Sequence, residues 1–254
     1  MALSEKIQSK INEQLDRLEF LEKPKIPCIA LKTNITDKKI NPILSKLDGI
    51  PFIDKYSKYP ELDGTPMICF LQLNMDQIFS YLNKADTRTT RYFDNYPKTG
   101  ILQFYRNYCE KLVSDDIIRI VYLKTYNRRN HDIQKEKELK PLYIQFRKKH
   151  GNIHSKSNAF KFIEIIDAEY DYDFVNSTMT SHPEWSEKID NTDPKHFIKI
   201  GGFPYHLQDD FEFDQKTENM LLTITTDLLG LNLAINKDNM KNLIFTDLKI
   251  DIAY

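Results

Sequence analysis

A seven-residue pattern that occurs twice places the strongest constraint on how this chain can fold. The pattern reads Lys–apolar–x–Gly–apolar–Pro–aromatic, and its copies span residues 46–52 and 199–205, an offset of 153 residues. The same offset brings Met67 onto Met220, and each methionine opens an apolar run. An offset shared by two separate segments predicts a duplicated unit, and we expect its two copies to pack face to face.

Apolar and alternating runs predict β-strands in both copies. The predicted strands cover residues 26–33, 67–74, 101–105, 116–124, 141–146, 160–166, 197–200, 220–226, 230–235 and 245–254. Apolar spacings of three and four predict helices over 4–22 and 75–84, and a third short helix is predicted over 183–189. A turn is expected at 63–66, where Asp and Gly precede Thr and Pro.

These elements predict an α+β fold, in which a duplicated unit of mainly antiparallel strands carries an N-terminal helix packed on the sheet. Residues 1–254 are expected to form a single domain of two related halves. The halves span approximately residues 24–125 and 175–254, and a variable charged connection over 126–174 joins them.

Composition excludes several classes of protein. Hydrophobic residues make up 41% of the chain and charged residues 29%, which is ordinary for a globular protein with a real core. The formal net charge of −1 supplies no global argument for nucleic acid. Three well-separated cysteines argue against a disulfide framework, so we expect reduced thiols in a cytoplasmic protein. No run of about 18 apolar residues is present, so no membrane span is expected.

Charge is nevertheless segregated into blocks. Residues 124–150 carry nine bases and three acids, whereas residues 164–193 carry nine acids and one base. The basic block could bind RNA or DNA, but no recognised nucleic-acid module accompanies it. Most charge runs are solvated surfaces, and the two blocks could also lie near each other and partly neutralise.

The second copy of the pattern holds the candidate ligand site. Its paired glycines could present backbone amides to an anion. The more ordinary interpretation is a tight turn in which glycine adopts a positive φ and Pro204 fixes the direction of the chain after the turn. Imidazole and carboxylate groups follow closely, yet no His-x-x-x-His on a helix supports a metal, and no cofactor is expected. The candidate ligand-binding residues are Gly201, Gly202, Tyr205, His206, Gln208, Asp209 and Asp210.

No catalytic constellation is evident. The chain contains no Gly-x-Ser-x-Gly elbow and no cysteine beside a recognisable base. Cys69 lies in an apolar run and is expected to pack as a small hydrophobe. No residue is therefore assigned a catalytic role.

Several motifs together resemble the YwqG-like family, a bacterial domain of unknown function. The resemblance covers most of the chain, and it implies an α+β fold built from a duplicated unit but no established activity. The segments that carry it are Lys46 to Pro51, Gly64-Thr65-Pro66-Met67, Gln72-Leu73-Asn74, Tyr96 to Tyr105, Ile118 to Tyr122, Lys199 to Pro204 and Gln208 to Asp210.

Two functional hypotheses follow. The first is a non-enzymatic cytoplasmic protein that binds another protein, since charge blocks suit electrostatic complementarity; an immunity-type protein that neutralises a toxin is one version. The alternative is a small-ligand-binding protein or enzyme with its site in the cleft between the two halves. In that case we expect the Gly201–Gly202 turn, His206, Asp209, Tyr205 and Phe52 to line the cleft.

Overall fold

The computed structural model describes residues 28–35, 41–47, 49–82, 87–107, 118–149, 158–166, 196–202, 213–214, 216–226 and 229–253. Within these ranges the strands are β1 (Cys28–Ile35), β2 (Lys46–Leu47), β3 (Glu61–Leu62), β4 (Thr65–Pro66), β5 (Ile68–Asn74), β6 (Ile101–Arg106), β7 (Ile118–Leu123), β8 (Asn158–Ile166), β9 (His196–Gly201), β10 (Glu218–Thr226), β11 (Leu229–Asn236) and β12 (Lys249–Ala253). The helices are α1 (Met75–Leu82), α2 (Thr87–Tyr92), α3 (Ile133–Lys149) and α4 (Lys237–Lys241), with 3-10 turns at Phe93–Asn95 and Arg128–Asn130.

Ten of these strands form one antiparallel sheet. Their order is β12-β11-β10-β9-β1-β8-β2-β5-β6-β7, so β1 and β8 occupy the centre. We call β2, β5, β6 and β7 the first flank, and β9 to β12 the second flank. Strands β3 and β4 form a separate hairpin whose turn residues, Asp63 and Gly64, have φ of 50° and 76°. Positive φ at both central positions is characteristic of a type I′ hairpin turn, for which Asp-Gly is a preferred sequence.

The ten-stranded sheet curls until its two ends approach each other. The ring of Tyr122 on β7 lies 5.5 Å, centroid to centroid, from the ring of Phe245, four residues before β12. Across the same interior, the Tyr96 hydroxyl donates to the carbonyl oxygen of Met220 at 2.8 Å. Both flanks therefore enclose a common apolar core on the inner face of the sheet. Its members include Leu71, Leu73, Leu102 and Phe104 from the first flank and Ile198, Ile224, Leu231 and Leu233 from the second.

Helix α3 covers the outer face of the first flank. Leu139, Tyr143 and Phe146 recur at spacings of four and three, so they share the side of the helix that faces the sheet. The Tyr143 hydroxyl accepts a hydrogen bond from the Cys69 amide at 2.8 Å. The Tyr59 hydroxyl donates its proton to the Met67 carbonyl oxygen. The Tyr143 hydroxyl lies 3.0 Å from the Tyr59 hydroxyl, and because the Tyr59 proton is already used, Tyr143 is the donor between the two. Burial raises the pKa of both tyrosines, which keeps this chain of donors protonated.

Most predicted elements within the described residues are confirmed. The mixed, antiparallel architecture agrees with an α+β class, and the strands predicted over 67–74, 101–105, 160–166, 220–226 and 230–235 are present within a residue or two of their predicted ends. The helices predicted over 4–22 and 183–189 lie outside the described residues. The duplication stays a prediction.

Two strand predictions were wrong. Residues 141–146 belong to α3, because burial of Tyr143 and Phe146 at helical spacing outweighs the helix hydrogen bond that Pro141 cannot donate. The terminal strand was predicted over 245–254 but begins only at Lys249, because Asp247 has a positive φ of 54° that interrupts an extended backbone.

Replacement of Tyr143 by Phe tests the attachment of α3 to the sheet. The variant leaves the Cys69 amide buried without its acceptor, so we expect the free energy of unfolding to fall by about 1–3 kcal/mol. Urea denaturation followed by circular dichroism measures the change. Tyr56→Phe is the matched control, because that ring is 75% exposed and should show little loss. Equal stability of the two variants would contradict the role of Tyr143.

Candidate functional site

The paired glycines of the predicted ligand site form a turn at the end of β9. Gly201 and Gly202 are buried, with φ of 77° and 75°, which confirms the expected positive φ. A backbone hydrogen bond joins Gly202 to the hydroxyl of Tyr92, whose pKa burial raises to about 12. This glycine therefore already has an internal partner. The other five candidate residues, Tyr205, His206, Gln208, Asp209 and Asp210, lie outside the described residues.

The space between the flanks, as far as the structure describes it, is filled with apolar side chains. Phe52, expected to line a cleft there, lies instead on the outer face of the first flank. Its ring stacks on His131 at 5.5 Å and meets the edge of Tyr126 at 6.3 Å. The structure therefore does not bring Phe52 to the space between the halves.

Two glutamines of the first flank fasten the loop that carries the first copy of the pattern. The Gln72 amide nitrogen donates to the carbonyl oxygens of Pro42 and Leu44 at 2.7 and 2.8 Å. Its oxygen accepts from the Phe52 amide at 2.7 Å and from Gln103 at 2.9 Å. Gln103 also donates to the Phe52 carbonyl oxygen at 2.6 Å. Both donor and both acceptor positions of the Gln72 side-chain amide are thus occupied by hydrogen bonds within the protein.

A buried lysine stands in the same row across the sheet. Lys46 lies directly opposite Gln72, and Gln72 lies opposite Gln103. The Lys46 ammonium donates to the Pro42 carbonyl oxygen at 3.1 Å, and only 4% of the residue is exposed. Burial lowers the pKa of Lys46 to about 8, and electrostatic interactions with Cys69 and Glu136 oppose part of this decrease.

The second flank has an equivalent row. Lys199 is buried opposite Thr223, and burial lowers the pKa of Lys199 to about 8. The Thr223 hydroxyl donates to Asn232 at 3.1 Å, and the Asn232 amide donates to Asp251 at 3.0 Å. Lys46 and Lys199 open the two copies of the sequence pattern, so the pattern marks the same kind of buried position in both flanks.

Hydrogen bonds join loop 53–58 to turn 127–132 on the first flank. We call these two segments the corner. The Lys55 amide donates to the Asn130 carbonyl oxygen at 3.0 Å, and the Asp132 amide donates to that of Ile53 at 2.8 Å. His131 Nδ1 accepts from the Ile53 amide at 3.2 Å. His131 Nε2 therefore carries the proton and donates to a Glu136 carboxylate oxygen 2.6 Å away.

The outer face of α3 continues from this corner. Asp132 caps the helix, since its carboxylate accepts from the Lys135 amide at 2.9 Å. Ile133 and Ile144 are 61% and 43% exposed and lie about three turns apart on the same side. An open groove of about 440 Å³ follows this side of the helix. Its lining includes Lys137, Lys140, Pro141, Ile144 and Gln145.

Sequence reasoning missed this surface, because residues 141–146 were interpreted as a strand. The eleven-residue spacing of Ile133 and Ile144 was the signal available, since it returns to the same side of a helix. It also missed the buried lysines, although both begin the repeated pattern.

The described residues contain no cluster of three or more His, Cys, Asp or Glu side chains that could hold a metal. Among the helices described, none is long and apolar enough to cross a membrane.

Comparison with known families gives a match over most of the chain. Residues 45–250 match the family model described as "Domain of unknown function (DUF1963)". The YwqG-like name is not part of that description and stays a prediction. No curated protein matches the chain.

Replacement of Lys46 by Met tests the energetic cost of the buried amine. Below pH 8 the lysine is charged in both the folded and unfolded chain, and above pH 10.5 it is neutral in both. Since the folded state disfavours the charged form, the penalty is complete below pH 8 and disappears as the pH rises to 10.5. We expect Lys46→Met to gain up to roughly 3 kcal/mol relative to wild type at pH 7, and this gain to vanish by pH 10.5.

Chemical denaturation of both proteins at a series of pH values between 7 and 10.5 measures the difference. Subtraction of wild type from variant cancels the titration of the buried tyrosines and Cys28. Lys58→Met, at an exposed position, is the matched control. A stability difference for Lys46→Met that does not change with pH would contradict the assignment.

Proposed function

The chain belongs to the family described as Domain of unknown function (DUF1963), and we propose that this protein is a non-enzymatic protein-binding module. The binding surface is the outer face of α3. The observation that carries the proposal is the exposure of two isoleucines on one side of a helix whose opposite side is anchored in the protein. Two apolar side chains on one side of a helix, with lysines beside them, fit the apolar core and polar rim of a protein interface.

The rigidity of the surface supports binding without rearrangement. Leu139, Tyr143 and Phe146 bury the inner side of α3 against the sheet. At its N-terminal end, His131 and Asp132 join the helix to loop 53–58. A surface that is already ordered loses little conformational entropy when a partner binds, which favours affinity.

The chemistry of the buried polar groups favours binding over catalysis. Gln72 and Gln103 form hydrogen bonds with the backbone of Phe52. His131 forms hydrogen bonds with the Ile53 amide and the Glu136 carboxylate. These contacts hold the fold together, so they support an architectural role for these side chains. A ligand or enzyme site between the halves is the less supported alternative, because the described space there is apolar.

We further propose that the two flanks derive from one duplicated unit. Lys46 lies between Ala159 and Gln72 on neighbouring strands, and the next residue in the row is Gln103. In the second flank, the corresponding row reads Ala30, Lys199, Thr223 and Asn232. An alanine, a buried lysine and two polar residues in the same order support duplication.

An immunity-type protein is one concrete form of this proposal. Such a protein acts in the bacterial cytoplasm by covering the surface of a toxin, and it needs a rigid binding face but no catalytic group. The outer face of α3 meets that requirement.

Charge placed on the two isoleucines tests the proposed surface. Wild type and the double variant Ile133→Glu/Ile144→Glu serve as bait in the source organism, and recovered proteins are quantified by mass spectrometry. We expect a specific partner whose recovery falls at least about tenfold with the double variant, because buried anchors dominate interface energies.

Ile244→Glu is the matched control, since Ile244 is 45% exposed and lies outside α3. Its partner recovery should equal that of wild type. Repeated failure to recover any protein would count against a binding function. Equal recovery with the double variant would move the interface away from α3.

A further inference from the structure

We propose that the partner of this surface presents an acidic segment, in which carboxylates surround apolar anchor residues. The inference rests on the proposed function and specifies the chemistry of the same site. It is drawn from a comparison of the charged side chains of α3 and the adjoining corner: the bases are exposed to solvent, and most of the acids are bonded within the protein.

Basic side chains dominate the exposed part of this surface, although the whole chain has a net charge of −1. Two of them, Lys137 and Lys140, line the groove beside Ile144. The others lie at the corner that precedes α3, where loop 53–58 is hydrogen-bonded to turn 127–132. The exposed bases of the surface are Lys55, Lys58, Arg128, Arg129, Lys137 and Lys140.

The acidic side chains of the same region are engaged internally. Asp132 caps the first turn of α3, and Glu136 accepts a short hydrogen bond from His131. Asp54 accepts from the Ser57 hydroxyl at 3.1 Å. Glu138 is exposed but lies 3.5 Å from the Lys135 ammonium. Asp54 and Asp132 are thus engaged in a turn and in the helix cap, Glu136 with His131 and Glu138 with Lys135. Of the six exposed bases, Lys58 lies 4.0 Å from Glu61, and the exposed side chains still carry an excess of positive charge.

The apolar part of the surface favours a protein over a nucleic acid. Proteins that hold single strands stack the bases on aromatic rings along a basic groove. Along the groove, the apolar lining is aliphatic, from Pro141 and Ile144, and the exposed aromatic of the surface is Tyr56 at the corner, with the Lys55 ammonium 4.8 Å from its ring centroid. If a nucleic acid bound here, its charged phosphate oxygens would face the apolar groups of the groove and the exposed Ile133, which offer these oxygens no hydrogen bond or charge. A peptide with its own apolar residues would cover them.

The spacing of the anchors sets the size of the segment. Ile133 and Ile144 are eleven residues apart, which is about 16 Å along the helix axis. Lys137 and Lys140 lie between them. A complementary segment thus carries two apolar groups about three helical turns apart, with acidic residues between and beside them. A run of about 16 residues is long enough to reach both anchors and the corner.

The test is a selection from a displayed library of random 16-residue peptides on the full-length chain. We expect the enriched peptides to contain several Asp or Glu residues around apolar residues. Synthetic versions should bind wild type and lose at least about tenfold in affinity to Lys137→Glu/Lys140→Glu, because like charges then face each other. Binding should also weaken as salt is raised from 50 to about 300 mM.

Lys216→Glu/Lys241→Glu is the matched control, since it reverses two exposed lysines outside α3 and its corner, one in the turn before β10 and one at the end of α4. It should bind the peptides as wild type does. Circular dichroism and thermal unfolding of every variant show that the fold is retained. Melting temperatures within a few degrees of wild type separate lost binding from lost structure.

The outcomes separate this inference from the proposed function. Neutral or basic peptides that depend on Ile133 and Ile144 would overturn the acidic partner and leave the binding surface in place. Peptides that are insensitive to every α3 variant, or an empty selection, would overturn both.

Two other occupants are tested in the same assay. A 20-nucleotide RNA or DNA that binds wild type, and is lost with Lys137→Glu/Lys140→Glu, would reassign the surface to nucleic acid. The chain's own acidic block is tested by neutralising Asp171, Asp173, Glu184 and Glu187 to Asn and Gln. A tenfold rise in peptide affinity in that variant would assign the surface to this internal segment and overturn an external partner.

Discussion

Burial of one apolar core between the two ends of a single curled sheet is the interaction on which the rest of this structure depends. Tyr122 and Phe245, which lie near opposite ends of the ten-stranded sheet, meet through their rings, and side chains from both flanks fill the interior. Because apolar burial is the main favourable term in folding, this arrangement uses the inner faces of both flanks for stability. The glutamine network of the first flank and the surface proposed for binding lie on the outer face.

The outer face accommodates polar groups by satisfying them. Gln72 and Gln103 supply hydrogen bonds that hold Pro42, Leu44 and Phe52 on the sheet, on both sides of the short strand β2. Lys46 and Lys199 are harder to explain on stability alone, since their pKa values near 8 show that burial disfavours the charged amine. Their matching places in the strand rows of the two flanks support the proposed duplication.

Helix α3 connects this scaffold with the proposed function. Its inner side is anchored by Tyr143, whose hydroxyl joins the Cys69 amide to Tyr59. Its outer side is left with isoleucines and lysines, because the acids nearby are engaged in the helix cap and in the contact with His131. A net charge of −1 for the whole chain therefore conceals a local positive surface, and the positions of individual carboxylates decide its sign.

The sequence alone determined the local elements, because strand alternation, the Asp63–Gly64 turn and the positive φ of Gly201 and Gly202 depend on neighbouring residues. It also identified the repeated pattern. Tertiary structure decided the rest. Residues 141–146 form a helix because Tyr143 finds partners 74 and 84 residues away, at Cys69 and Tyr59. The corner beside α3 likewise requires Ile53 to meet His131, 78 residues later. Contacts of that separation are set by the packing of the whole sheet, which no local pattern records.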